Sequence, residues 1–175
     1  FKDAATAFNN KKKESYKNKG IINNNISSNI FEYLNKNKVK THFIKKLNDR
    51  EQEIIEVKII PIEVVVRNIV AGSLEKRFQI KKGSKIRNPI IELYLKNDLL
   101  NDPLINDEHV KMLNLCNNKK LEKVKKISRK INILLKKYFE PLNIILVDFK
   151  LEFGEHKGEV LLADEISPDN CRLWD

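Results

Sequence analysis

The stretch Val147-Asp148-Phe149-Lys150-Leu151-Glu152-Phe153 alternates apolar and charged residues without a break, and it constrains the fold more than any other part of the chain. Successive side chains of a strand point to opposite faces, so Asp148, Lys150 and Glu152 share one face while Phe149, Leu151 and Phe153 enter a core. His156-Lys157-Gly158 then supplies a turn, and Glu159 to Ile166 returns as a partner strand. Asp164 and Glu165 lie near the end of that partner, so one of them points to the polar side, and Glu152 can face Asp164 across the hairpin. Two carboxylates so placed repel each other unless a cation lies between them. Mg²⁺ is the natural candidate, because it takes oxygen ligands and keeps water and nucleotide phosphates around it. Lys150 could then meet a phosphate as a compact positive charge. The competing reading is a surface hairpin in which Lys150 only offsets Asp148 and Glu152.

The remaining pattern is mixed. Asn9 to Gly20 is polar and lysine-rich and reads as a loop. Ile22, Ile26, Ile30, Phe31 and Leu34 recur at helical spacing, with Asn23 or Asn24 as the candidate cap. His42–Leu47, Ile54–Ile59 and Ile62–Ile69 read as strands, with Pro61 interrupting the last two. A short helical turn is expected over Gly72–Phe78, a loop over Gly83–Pro89, a strand over Ile90–Leu95 and a long loop over Asn97–Asp107. The clearest helix runs from Asn118 to Phe139, where Leu121, Val124, Ile127, Ile131, Leu134, Leu135 and Tyr138 mark one face and Pro141 ends it. Strands over Ile144–Phe153 and Glu159–Ile166 follow, so the fold class is α+β with a largely antiparallel sheet. Neither a Rossmann glycine fingerprint nor a Walker-type P-loop is present, so nucleotide binding must rest on other residues.

The chain has 175 residues and a formal charge of +10, from 34 basic and 24 acidic side chains. Such a balance suits phosphate-bearing ligands, nucleic acid or plain solubility. Lysine interleaved with asparagine reads as a solvated surface, and sparse aromatics without a basic stacking pattern disfavour a nucleic-acid module. No apolar run approaches the roughly 20 residues of a membrane helix. Cys116 and Cys171 form no disulfide framework and suit a reducing cytosol, and His42, His109 and His156 make no zinc spacing with them.

Arg67 ends an apolar run and is placed for bidentate recognition of a carboxylate or phosphate. In Ala71-Gly72-Ser73-Leu74, Gly72 lets backbone approach an anion and Ser73 can offer a hydroxyl near a helix start. An ordinary salt bridge and helix cap explain these residues equally well. Asp169, Arg172 and Asp175 form a second polar cluster, readable as a pocket or as an Arg–Asp pair satisfied within itself, with Trp174 anchoring the segment by burial. Lys96, Asp98 and Asp102 carry the same ambiguity.

Together these segments resemble the SAICAR synthase (phosphoribosylaminoimidazole-succinocarboxamide synthase) family. The likeness begins in Phe1-Lys2-Asp3-Ala4-Ala5-Thr6-Ala7-Phe8-Asn9 and passes through Thr41-His42-Phe43, Val65-Val66-Arg67-Asn68 and Lys96-Asn97-Asp98. It is fullest in Leu146-Val147-Asp148-Phe149-Lys150-Leu151-Glu152-Phe153-Gly154 and in Leu162-Ala163-Asp164-Glu165-Ile166-Ser167-Pro168-Asp169, continuing to Asp175. The resemblance implies a fold related to the ATP-binding lobes of protein kinases and ATP-grasp proteins. Residues to about 66 would end an N-terminal lobe, and 67–175 would form a larger lobe for ATP and CAIR, the carboxylated aminoimidazole ribonucleotide. It implies ATP-dependent joining of L-aspartate to CAIR in cytoplasmic purine synthesis, with Mg²⁺ as cofactor. No nucleic acid or membrane partner is implied, and a homodimer is the expected assembly.

By the same resemblance Lys150, Glu152 and Asp164 are catalytic, with Glu152 and Asp164 holding the metal. Glu63 falls at the adenine-side hinge, and Lys96 joins the nucleotide set. Arg67, Ser73 and Arg172 match positions that grip the CAIR phosphate or carboxylate; Asp169 and Asp102 belong to pocket positions as well. The implied chemistry is phosphorylation of the CAIR carboxylate to an acyl phosphate, then attack by the aspartate amine. The chain departs from the family pattern at Ala4, where a second Asp is usual, at Asn10, where Gly is usual, and at Asn170, where Thr or Ser is common. A glycine-containing phosphate loop before Phe1 and a helical segment after Asp175 are expected in the complete polypeptide. A small-molecule or protein kinase of the same superfamily is the rival reading.

Overall fold

A computed structural model describes residues 1–7 and 12–175. Phe8, Asn9 and Asn10 of the first motif, and Lys11 of the lysine run, lie outside the described residues.

The elements follow in the order β1 (Ala4–Ala7), β2 (Lys12–Ser15), α1 (Lys19–Lys36), β3 (Phe43–Lys46), β4 (Gln52–Ile54), β5 (Lys58–Ile69), α2 (Ser73–Phe78), β6 (Lys85–Leu95), β7 (Leu104–Ile105), α3 (Asp107–Met112), α4 (Asn118–Phe139), β8 (Ile145–His156), β9 (Glu159–Ala163) and β10 (Cys171–Trp174). Short 3₁₀ turns follow β6 and α4. β1–β2 and β3–β4 are small hairpins, and the other strands form one six-stranded sheet in which β10, β8, β5, β6 and β7 lie side by side. Every pairing in that sheet is antiparallel, as the α+β reading expects. β8 is its axis: β5 covers one edge, while β10 and then β9 share the other.

The Val147–Phe153 alternation decides which way β8 faces. Phe149, Leu151 and Phe153 are buried in one core with Val64 and Val66 of β5 and Leu93 of β6. Over them lies α4, whose Leu121, Val124, Ile131 and Leu135 stripe is buried along the same core. Its bounds match the expected Asn118–Phe139, and the side chain of Asn117 caps it by accepting the Lys120 N–H at 2.9 Å. α1 adds Ile30, Phe31 and Leu34. None of the described helices is long and apolar enough to cross a membrane.

Several expectations need correction. The Asn9–Gly20 segment is not all loop, since β2 and the start of α1 fall within it. Asn23 and Asn24 do not cap α1; they are buried inside it, whereas Ile22 is exposed. The start of α1 is instead held by Asp3, which accepts the Gly20 N–H at 2.9 Å and pairs with both terminal nitrogens of Arg50. The expected strand over Ile54–Ile59 is split, because β4 ends at Ile54 and β5 begins at Lys58. Between them Val57 presses on Gly154 so closely that a Cβ there would lie 2.4 Å from Val57 Cγ2.

Pro61 does not end a strand. It sits within β5 where the register with β8 is irregular between Ile59 and Glu63, a place where a missing N–H costs no ladder bond. Most of Gly83–Pro89 is strand rather than loop, because Lys85 pairs with Ile69. The Asn97–Asp107 loop contains β7, and α3 and β10 were not expected. The boundary expected near residues 66 and 67 falls inside β5, paired with β6 and β8 on either side.

Candidate active site

The face of the sheet turned away from α4 is polar because the strand register puts charges opposite one another. Glu63 lies across from Glu152, Val65 from Lys150 and Arg67 from Asp148 between β5 and β8. On the other side of β5, Val65 lies across from Glu92 and Glu63 from Tyr94. Arg172 of β10 faces Asp148. Like charges at the Glu63–Glu152 crossing demand cations, and the site supplies them.

Lys150 Nζ donates to Glu63 Oε1 at 2.7 Å and to Glu152 Oε1 at 3.1 Å, and Lys96 Nζ donates to the same Glu152 oxygen at 2.7 Å. Lys96 also lies 3.9 Å from Glu63. The four side chains form a closed quartet of alternating charge. Burial alone would raise the Glu152 carboxyl, but the two ammonium groups outweigh it and hold it below its ordinary value. Burial would likewise lower Lys150, and Glu63 and Glu152 reverse this and raise it. Both groups are therefore charged across the working pH range.

Asp164 follows the last residue of β9, whose Ala163 pairs with Glu152, and its φ of 59° turns the chain sharply there. Crowding within the concave wall raises its carboxyl, and the charge of Glu152 raises it further, although solvent still reaches the side chain. Glu152, Asp164 and Glu165 line one cavity of about 950 Å³ together with His42, Arg50, Gln52 and Val57. The register therefore sets Ala163, not the expected Asp164, across from Glu152, and Asp164 reaches the same cavity where the chain turns beyond β9.

A second cavity, of about 430 Å³, is lined by Arg67, Ser73, Asp148, Lys150, Asp169 and Arg172. Lys150 borders this cavity and Glu152 the first, so their ion pair marks the seam between the two. Arg67 is almost fully buried: its Nε donates to Glu92 Oε2 at 2.5 Å, Nη1 to Asp148 Oδ2 at 3.2 Å, and Nη2 to Ser73 Oγ at 2.8 Å and Tyr94 Oη at 3.2 Å. Arg172 pairs with Asp148 at 3.3 Å rather than with Asp169. Asp169 instead accepts from Lys19 and, at 2.9 Å, from Asn23 Nδ2, tying the turn before β10 to α1. Asn170 closes that turn, its Oδ1 accepting the Ser167 N–H at 2.9 Å. Trp174 is half-buried, with Lys82 Nζ 5.6 Å from its ring centre.

Of the residues expected in the site, Glu63, Arg67, Ser73, Lys96, Lys150, Glu152, Asp164, Asp169 and Arg172 meet on or beside this face. Asp102 lines neither of the two cavities. Its Oδ1 accepts the Asn97 N–H at 2.8 Å, so it shapes the loop after β6. Sequence reading missed Glu92 and Tyr94, which bond Arg67, and Arg77, which bonds Glu92. The Ile91-Glu92-Leu93 alternation was a signal, but nothing in it said which strand would lie alongside.

Glu152 and Asp164 suit a divalent cation. Both lysines bond to Oε1 of Glu152, and among the described residues none donates to Oε2. Burial first, and the charge of Glu152 second, raise the Asp164 carboxyl, and a bound cation would oppose both. Among the described residues no group of three or more His, Cys, Asp or Glu side chains could hold a metal alone. Two carboxylates completed by phosphate oxygens and water are what Mg²⁺ accepts.

Known proteins resemble this chain over its whole length. The sequence profile of the SAICAR synthetase family matches residues 1–175. The phosphoribosylaminoimidazole-succinocarboxamide synthase of Streptococcus thermophilus is 54% identical over 176 residues, covering 100% of this chain and 75% of the relative. The crystal structure of the Ehrlichia chaffeensis synthase superposes with a TM-score of 0.97 at 51% identity, covering 100% of this chain and 76% of that one. A SAICAR synthetase in complex with ADP gives a TM-score of 0.97 at 48% identity, covering 100% of this chain and 75% of that one. With the whole of its length matched, this chain belongs to the SAICAR synthetase family.

Proposed function

We propose that this sheet face carries out the ATP-dependent joining of L-aspartate to CAIR, giving SAICAR, ADP and phosphate. The observation that carries the reading is the Lys150–Glu152 pair at the seam of two cavities, one walled by carboxylates and the other by arginines. Nucleotide phosphates with a divalent cation fit the first, and a phosphate- and carboxylate-bearing ribonucleotide fits the second.

A carboxylate is a poor acyl donor because its leaving group would be oxide. In the first step a CAIR carboxylate oxygen bonds to the γ-phosphorus, the bond to the bridging oxygen breaks, and ADP departs. In the second, the aspartate amine bonds to the acyl carbon and phosphate leaves, while the nitrogen gives up a proton to form the amide. Glu152 and Asp164 would hold Mg²⁺, which when bound offsets charge on the phosphate oxygens. Lys150 stands beside the transferred group, and Glu63 keeps its ammonium directed there. Lys96 orients Glu152. Arg67, Ser73 and Arg172 fix the anionic groups of CAIR, where orientation supplies much of the rate. Asp169 walls the same cavity and fastens it to α1. The pathway places the enzyme in the cytoplasm, and a homodimer, testable by light scattering, is the assembly in this reading.

The deciding measurement is ADP release by the full-length protein. Release that requires both CAIR and aspartate supports the ligase. Release with CAIR alone, at the full rate, points to a kinase and overturns it. Glu152→Ala and Asp164→Ala should each abolish turnover with the fold kept, and near-normal rates in either would remove these acids from the mechanism.

A further inference from the structure

Charged side chains alternate in sign right across the sheet: Arg77 on α2, Glu92 on β6, Arg67 on β5, Asp148 on β8 and Arg172 on β10. Glu92 is buried and stands outside the residues lining the arginine cavity, yet it bonds Arg67, the lining group that itself reaches Ser73 and Asp148. One carboxylate oxygen, Oε2, accepts Arg67 Nε at 2.5 Å and the Tyr94 hydroxyl at 2.8 Å. Tyr94 Oη in turn accepts Arg67 Nη2 at 3.2 Å, closing a ring of three side chains. The other oxygen, Oε1, accepts Arg77 Nη2 from the far end of α2.

We infer that Glu92 is a positioning residue for CAIR recognition, setting the guanidinium plane of Arg67 and latching α2 so that Ser73 meets it; this role rests on the functional reading above. A guanidinium is a rigid planar fork, so fixing Nε against Glu92 fixes where both terminal nitrogens point. Arg67 Nη2 then reaches Ser73 Oγ at 2.8 Å, and Ser73 is the first residue of α2. Both ends of this short helix are thus joined to Arg67 and Glu92, one through Ser73 and one through Arg77. Removing the charge would leave Arg67 and Arg77 facing each other without an intervening anion, and Arg67 and Ser73, which line the cavity, would lose their common support. Burying a carboxylate between arginines is a poor route to stability compared with apolar packing, but it does fix geometry.

The test uses the full-length protein with Glu92→Gln, Glu92→Asp and Tyr94→Phe, varying CAIR at saturating ATP and aspartate. Glu92→Gln should raise the KM for CAIR by roughly 10- to 100-fold, the range for losing a hydrogen bond to a charged group. Its kcat should stay within about threefold and its KM for ATP within about twofold, the split expected for lost ground-state binding. Glu92→Asp should recover part of the loss, since it restores charge without length. Tyr94→Phe, which deletes one hydroxyl, should raise the KM for CAIR by roughly three- to tenfold. An unchanged KM for CAIR in folded Glu92→Gln overturns the role, as does Glu92→Asp performing no better than Gln. If Glu92→Gln fails to fold, Tyr94→Phe decides, and an unchanged KM there overturns it. Absence of CAIR-dependent turnover in the unaltered protein overturns the functional reading and this role together, whereas a normal parent with an indifferent Glu92→Gln overturns the role alone.

Discussion

The guanidinium of Arg172 rests against Gly72: a Cβ at residue 72 would lie 2.7 Å from Nη2 and 2.8 Å from Nη1. Gly72 also has φ 59° and ψ −125°, a conformation reserved for glycine. Gly72→Ala should therefore strain the turn before α2 and displace Arg172 from Asp148. The expected result is a loss of about 1–3 kcal/mol of stability in denaturant titration, accompanied by a raised KM for CAIR. A variant with normal KM would show that Arg172 can hold its ligand from elsewhere.

Asp164 and Glu152 repel in the free protein, so charge removal separates function from stability. Asp164→Asn keeps the shape and deletes one carboxylate. Turnover should require roughly 10- to 100-fold more Mg²⁺, or more. The melting temperature without nucleotide should hold or rise, because a charge disfavoured by burial and by Glu152 has gone. Magnesium titration of ADP release and a thermal melt check the two halves independently.

Deep in the sheet, Asn68 and Asn132 exchange side-chain hydrogen bonds at 2.8 and 2.9 Å, and Asn68 also donates to the Leu146 carbonyl at 3.1 Å. The pair fastens α4 to β5 and β8. Asn132→Leu leaves the Asn68 oxygen buried without its donor and should cost about 1–3 kcal/mol. The midpoint of urea unfolding should fall while the slope stays the same.

His42 is buried between the hairpin β3–β4 and β9, with its ring 5.3 Å from Phe31. Burial lowers its pKa from 6.5 to about 4, so the native state keeps it neutral. The unfolded chain takes up the proton first as pH falls. This contribution is therefore intact above about pH 6.5 and is lost progressively towards pH 4, amounting to about 3 kcal/mol. His42→Phe should flatten the stability profile in that window, as read by unfolding at stepped pH.

Much of β8 was legible because alternation is a local property. Lys150 and Glu152 share a face in any strand that buries Phe149, Leu151 and Phe153, and α4 announced its bounds through its stripe. The failures share one cause. Asn23 and Asn24 look like caps, but a helix start is chosen by whatever accepts its free N–H groups, and here that is Asp3, brought by chain from outside the helix. Pro61 looks like a break, yet an irregular register lets a strand pass through it.

The sequence by itself determined which residues could share a face, that the sheet would be amphipathic, and that lysine and two acids would stand together at its polar end. Only the tertiary structure decided their partners. Which carboxylate takes Arg67, whether Asp169 meets Arg172 or Lys19, and that Glu92 stands between two arginines all depend on strand order and register. Those are set by long-range packing of β5, β6, β8 and β10 against α4, and no spacing along the chain encodes them.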